Sequence, residues 1–242
     1  MQILITGAAG GVGRSVTLAL SEAGHRVVGF DRIAASDCHR VIQADLLDRG
    51  AVRDACEGCD VVIHLAATPD ESDFVEDLLQ PNVLGLFHVC DAARHAGCKR
   101  LVLASSLQVV WGHLGDKPVH LEDGPRVVNH YALTKLWAED MGEMYARCFG
   151  LSVIAARLGW LPRSPSHHEE LKANPYGRDI FLSHRDAGRF FLSCVEAPME
   201  ESQFEALFAT SKPAEQARVD LSRTTAITGY EPEDIWPEGL RF

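Results

Sequence analysis

Short apolar runs alternate with amphipathic stretches along the first two thirds of the chain. Residues 2–6, QILIT, are apolar in both directions from a strand, and residues 14–22 behind them have helical spacing. The alternation continues with predicted strands at 25–30, 41–43, 61–67, 100–104 and 151–158 and helices at 48–57, 81–96 and 129–149. Gly24, Gly97 and Gly150 stand where helices should end, and Pro81 stands where one should begin. Strands buried on both faces and joined by helices imply right-handed crossovers and an α/β, doubly wound parallel sheet over residues 1–158. Past residue 158 the periodicity fades into LPRSPS, a short helix opened by a capping box from Ser166 to Glu169, an amphipathic helix at 184–196, a strand at 206–209 and a polar tail. Residues 159–242 are therefore expected to form a small substrate-binding part of the same domain. The polar stretch 68–77 reads as a loop or short helix with solvated acids, and 108–128 as a long irregular loop, which in a compact domain is usually functional.

Composition narrows the partners. A net charge of −11 and a pI near 5.4 leave no basic stripe for nucleic acid or an anionic membrane. The first strand begins at Met1 without a leader pattern and no later stretch has the length of a membrane span, so a soluble cytoplasmic protein is expected. Seven irregularly spaced cysteines fit reduced thiols, and the single C-x-x-C at Cys56 and Cys59 has no second ligand pair. His167, His168, Glu169 and Glu170 are adjacent on a helix and do not face one point, so no metal site is expected.

The candidate chemistry begins at Gly7, Gly10 and Gly13, spaced G-x-x-G-x-x-G between the first strand and helix, with Gly11 and Val12 inside the motif. Such a turn lets backbone approach a pyrophosphate at a helix N-terminus. Asp31 closes the second strand, where a carboxylate accepts hydrogen bonds from the adenosine ribose and repels a 2′-phosphate, which favours NAD over NADP. Asp45 and Leu46 follow the third strand, near the adenine. Leu65, Ala66 and Ala67 end the fourth, where backbone can lie against the cofactor, and His64 before them is read as a packed core histidine. Asn82 either bridges backbone groups of neighbouring strands or caps its helix. Leu158, at the end of the sixth strand, completes the cofactor set.

Ser105 and Ser106 end the fifth strand, so their hydroxyls point into the crevice beyond the sheet. Tyr131 and Lys135, four residues apart, project from one face of the long helix. A phenol is a poor base at neutral pH, but a lysine ammonium and a nicotinamide ring beside it favour the phenolate. Tyr131 would then take a hydroxyl proton while hydride leaves the same carbon for NAD. Lys135 would also hold the nicotinamide ribose, and one of the serines the substrate oxygen; Ser106, further beyond the strand end, is the expected one.

In their order, TGAAGGVG, Asp31, Asp45-Leu46, HLAA, Asn82, ASS and YALTK make the chain resemble the short-chain dehydrogenase/reductase superfamily, and its extended NAD-dependent epimerase/dehydratase branch in particular. The resemblance implies a Rossmann fold and catalytic Ser106, Tyr131 and Lys135. LVLASS, YALTK, the RLG run at 157–159 and FLSHRDAGRF resemble uronate dehydrogenases, which implies oxidation of the anomeric carbon of a hexuronic acid to an aldarolactone with NAD. Two positions depart from that group: Leu107-Gln108 replaces an Asn-His pair, and Trp160 replaces a serine. Gln108 and Trp160 are thus expected against a sugar or sugar-acid substrate, with Arg178 or Arg163 able to pair a sugar carboxylate. A homodimer through helices 81–96 and 129–149 is implied by the same resemblance. A nucleotide-sugar epimerase or dehydratase is the alternative, disfavoured by the short C-terminal part and by the absence of an acid at 107–108. A non-catalytic NAD-sensing protein on this fold is another, disfavoured by Tyr131 and Lys135.

Overall fold

Strands β1 (Gln2–Thr6), β2 (Arg26–Asp31), β3 (Arg40–Gln43), β4 (Val61–His64), β5 (Arg100–Ser106), β6 (Ser152–Leu158) and β7 (Phe204–Ala209) form one sheet in the order β3-β2-β1-β4-β5-β6-β7. Every neighbouring pair is parallel. The computed structural model describes residues 1–35 and 37–240; Arg241 and Phe242, the end of the expected C-terminal part, lie outside the described residues.

The apolar-on-both-sides strands divide their side chains between two cores. Leu4, Val62, Leu101, Leu103 and Val153 face one way, onto α2 (Arg49–Cys56), α3 (Leu86–His95) and α4 (His130–Phe149). Ile3, Ile5, Ile63, Val102 and Ile154 face the other, onto α1 (Gly11–Glu22) and α6 (His184–Glu196) through Val16, Leu20, Phe190 and Phe191. Each such side chain stabilises the fold by about 1.5–3 kcal/mol relative to exposure. A third cluster, with Leu107, Val110, Ile180 and Phe208, packs the segment after β5 against the C-terminal part, which also contributes α5 (Pro165–Ala173) and α7 (Ser222–Thr228). No helix among the described residues is long and apolar enough to cross a membrane.

Four local expectations are corrected. Helix α1 starts at Gly11 rather than residue 14, so Gly11 and Gly13 lie inside its first turn. The stretch 108–128 is not wholly irregular, because it holds 3₁₀ turns at Leu107–His113 and Leu121–Asp123. Helix α5 is capped by Ser164, whose hydroxyl accepts from His167 N–H, and Pro165 takes the first helical position; Ser166 lies inside.

The fourth concerns Pro81, which does not begin a helix. A π-helix spans Phe74–Gly85 and runs directly into α3, with Pro81 inside it and Asp73 capping its start through Val75 N–H and Glu76 N–H. Proline lacks the donor that an α-helical ladder needs at that point, and the wider i→i+5 winding tolerates the gap.

Candidate active site

The crevice opens beyond the carboxyl ends of β1 and β4, where the strand order reverses. Gly7 takes a left-handed φ of 75°, and a Cβ there would lie 2.7 Å from Ala66 N. At Gly13 a Cβ would lie 2.2 Å from the carbonyl oxygen of Gly7, so only glycine lets α1 approach the turn this closely. The loop is tied to β2 by Asp31, which accepts from Ala9 N–H at 3.0 Å with one oxygen and from Ile33 N–H at 3.2 Å with the other. His64 is buried and bonded to the Thr6 hydroxyl at 2.7 Å; burial and then Lys135 push its pKa down to about 3, so it is a neutral core group.

Helix α4 carries the candidate residues Tyr131 and Lys135 on one stripe. Its N-cap is Asn129, whose Oδ1 accepts from Ala132 N–H, while Glu71 accepts from Tyr131 N–H at 2.8 Å. Below this start, Tyr131, Lys135 and Glu139 recur every fourth residue and each meets the end of β5. Ser106 lines the cavity with the Tyr131 phenol, whose ionisation it favours, and its hydroxyl accepts from Gln108 N–H at 3.2 Å; Lys135 Nζ donates to Ala104 O at 3.1 Å, and Glu139 accepts from Ser105 Oγ at 2.5 Å. Arg157 on β6 grips the same carboxylate with two hydrogen bonds of 2.9 and 2.7 Å. Ser105 is thereby engaged inside the protein, whereas Ser106 faces the phenol. The Lys135 ammonium stands 5.6 Å from the Tyr131 ring centroid.

The expected lowering of the phenol pKa is not a property of the protein by itself. Burial pushes Tyr131 up to about 12, the nearby Asp70 adds to this, and Arg163 and Ser106 oppose it too weakly to win. Burial also draws Lys135 down to about 8.

A cavity of about 510 Å³ joins these parts. Gly7, Gly10, Gly11, Val12, Gly13, Leu65, Ala67, Ser106, Gln108, Tyr131, Lys135, Leu158 and Trp160 all line it. Gln108 Oε1 accepts from Asn129 Nδ2 at 2.7 Å, which leaves its amide N–H groups for a ligand. Trp160 is fixed through its backbone, donating to Ile180 O at 2.8 Å.

The remaining expected residues sit elsewhere. Asp31 and the exposed Asp45 lie beyond the enclosed volume, and Asp45 accepts from Leu47 N–H at 2.9 Å. Leu46 is buried, its carbonyl bonded to His88. Ala66 backs Gly7 from behind. Asn82 does not cap: from inside the π-helix it accepts from Thr68 N–H at 2.8 Å and donates to Thr68 O at 3.0 Å, bridging to the segment after β4. Arg178 is exposed and does not line the cavity, whereas Arg163 does.

Three groups escaped the sequence reading. The acids at 68–77 are not merely solvated: Asp70 lines the cavity, Glu71 holds the start of α4, and Asp73 caps the π-helix. His130 and the Tyr131 N–H hold the Glu71 carboxyl below its ordinary range, the N–H most. Glu139 gave a signal in its spacing from Tyr131 and Lys135, and Arg157 gave one as a lone charge in an apolar strand.

The description of the NAD-dependent epimerase/dehydratase family matches residues 3–168. Over 96% of its length the chain is 30% identical to an L-arabinose 1-dehydrogenase (NAD(P)(+)) of Haloferax volcanii, of which it covers 96%. A uronate dehydrogenase of Pseudomonas putida is 32% identical over 65% of this chain and 60% of its own. The crystal structure of a glucuronic acid dehydrogenase from Chromohalobacter salexigens superposes with a TM-score of 0.83 at 27% identity, covering 98% of this chain and 85% of the other.

Proposed function

The chain belongs to the NAD-dependent epimerase/dehydratase family, and from that premise we propose that it is an NAD-dependent dehydrogenase oxidising a hydroxyl of a sugar or sugar acid. The observation that carries this reading is the meeting of Ser106, Tyr131 and Lys135 in the same cavity as the glycine turn.

The residues present fit the cofactor. The turn from Gly7 to Gly13 is a cradle that a Cβ would fill, and Asp31 stands at the strand end where a ribose diol would be held. Gly10, Gly11 and Val12 would hold the diphosphate, Asp45 and Leu46 the adenine end, and Leu65, Ala66, Ala67, Lys135 and Leu158 the nicotinamide half. Asn82 supports that half by fixing Thr68. When bound, NAD accepts the hydride.

Ser106 holds the substrate hydroxyl beside the phenol, and Tyr131 removes its proton. The deprotonated phenol needs more positive charge than Arg163 gives it alone, since burial holds it near 12. Gln108 and Trp160 bound the space for the rest of the sugar. Incubation with NAD and a panel of aldoses and uronates, followed by NADH absorbance, tests the reading. Tyr131→Phe is expected to bind NAD and lose turnover; unchanged turnover would overturn the assignment.

We infer further that the chain works as a homodimer in a reducing, cytoplasmic compartment. Val75, Leu79, Leu84 and Phe87 on the π-helix and α3, with Trp137 on α4, leave apolar surface on the two long helices, and a self-complementary pairing would cover it. All seven cysteines are free thiols, which supports the compartment.

A further inference from the structure

Asp70 follows β4 and Arg163 follows β6, 93 positions apart, and the two form an ion pair across the rim of the cavity that both line. Asp70 holds a left-handed φ of 64°, a conformation that aspartate tolerates better than most residues. Such a backbone outlier beside a cavity invites a functional reading. The pair lines the same cavity as the Tyr131 phenol, on which the two charges act in opposite senses.

The other ionisable groups lining the cavity are Lys135, His167 and Glu170. Lys135 is buried and donates to Ala104 O, so it serves the deep end. That leaves Arg163 as the guanidinium at the rim, with Asp70 already against it. A substrate carboxylate would have to displace Asp70 from Arg163, in a cavity that Glu170 also lines. A neutral polyol meets no such cost, since one hydroxyl can donate to Asp70 and accept from Arg163 together.

We propose that the Asp70–Arg163 pair selects neutral aldoses over hexuronates, with Asp70 standing where a substrate carboxylate would otherwise bind. This deepens the dehydrogenase reading and rests on it.

The test compares kcat/KM for matched sugars, glucose with glucuronate and galactose with galacturonate, with L-arabinose added. The parent is expected to favour the neutral member of each pair. Asp70→Asn, which keeps the left-handed backbone, is expected to move the ratio toward the uronate by about fivefold, the scale of a partly exposed ion pair. Adding Arg163→Gln is expected to remove that gain. A parent that prefers uronates, a ratio unmoved by Asp70→Asn, or a gain that survives Arg163→Gln would each overturn the proposal. NAD binding without NADH from any sugar would instead overturn the dehydrogenase reading, and this proposal with it.

Discussion

Ser105 donates its hydroxyl to Oε1 of Glu139 at 2.5 Å, and both side chains are buried. The neighbouring Ser106 lines the cavity with Tyr131, and its hydroxyl accepts from Gln108 N–H at 3.2 Å. Adjacent residues on a strand face opposite ways, so only one of the pair can serve a ligand. Ser106→Ala is expected to lower kcat/KM by about a hundredfold, the scale of losing one donor to reacting oxygen. Ser105→Ala should instead lower stability by about 1.5–3 kcal/mol, since it removes a hydrogen bond to a charged group. Steady-state kinetics and urea unfolding on both variants separate the two roles.

Glu139 and Arg157 form a buried pair whose value depends on both members being present. Arg157 already has one buried nitrogen, Nη1, without a hydrogen-bond partner. Glu139→Leu would leave the guanidinium with no counter-charge and is expected to cost about 3–5 kcal/mol. Glu139→Leu combined with Arg157→Met should recover most of that loss. Urea midpoints of the parent, the single and the double variant measure the difference.

Much of this architecture was legible from periodicity. The strands were readable because β1, β4, β5 and β6 bury both faces, and the amphipathic helix expected at 184–196 has the ends that α6 has. The candidate stripe was readable because Tyr131 and Lys135 share a helical face. What stayed hidden depended on partners far along the chain. Asp70 resembles any loop acid until Arg163 is folded against it, and the spacing of Glu139 from Tyr131 and Lys135 gives its face of α4 but not its partner Arg157. Pro81 misled because a proline ordinarily opens a helix, and nothing local announces a π-helix around it. Arg178 is exposed and does not line the cavity; a loop arginine carries no sign of which way its loop turns.

Lys135 should make the protein less stable and more active at once. Burial lowers its pKa from 10.5 to about 8. A base depressed in this way costs stability while protonated: the cost is complete below about pH 8 and fades as pH rises toward 10.5, where the unfolded chain also loses the proton. Lys135→Met is therefore expected to raise the melting temperature by a few degrees near neutral pH and to abolish turnover. Its advantage over the parent should shrink as pH rises from 8 toward 10.5. Calorimetry of both proteins across that range checks the sign; a constant difference would contradict it.

Asn82 satisfies both backbone groups of Thr68. Asn82→Ala would leave a part-buried N–H and C=O without partners and is expected to cost about 1–3 kcal/mol. Because Thr68 leads directly to the cavity-lining Pro69 and Asp70, KM should rise more than kcat falls. Unfolding curves with sugar and NAD titrations report both effects.

The fourfold spacing of Tyr131, Lys135 and Glu139 has a thermodynamic consequence. Successive turns of α4 are fastened to Ala104 and Ser105 before any ligand arrives. The entropy of aligning phenol, ammonium and serine is thus lost once, during folding, and not again at each encounter with substrate. Catalytic readiness and the packing of a single helix become the same property, so a change that lets α4 rotate would silence the enzyme well before it unfolds it.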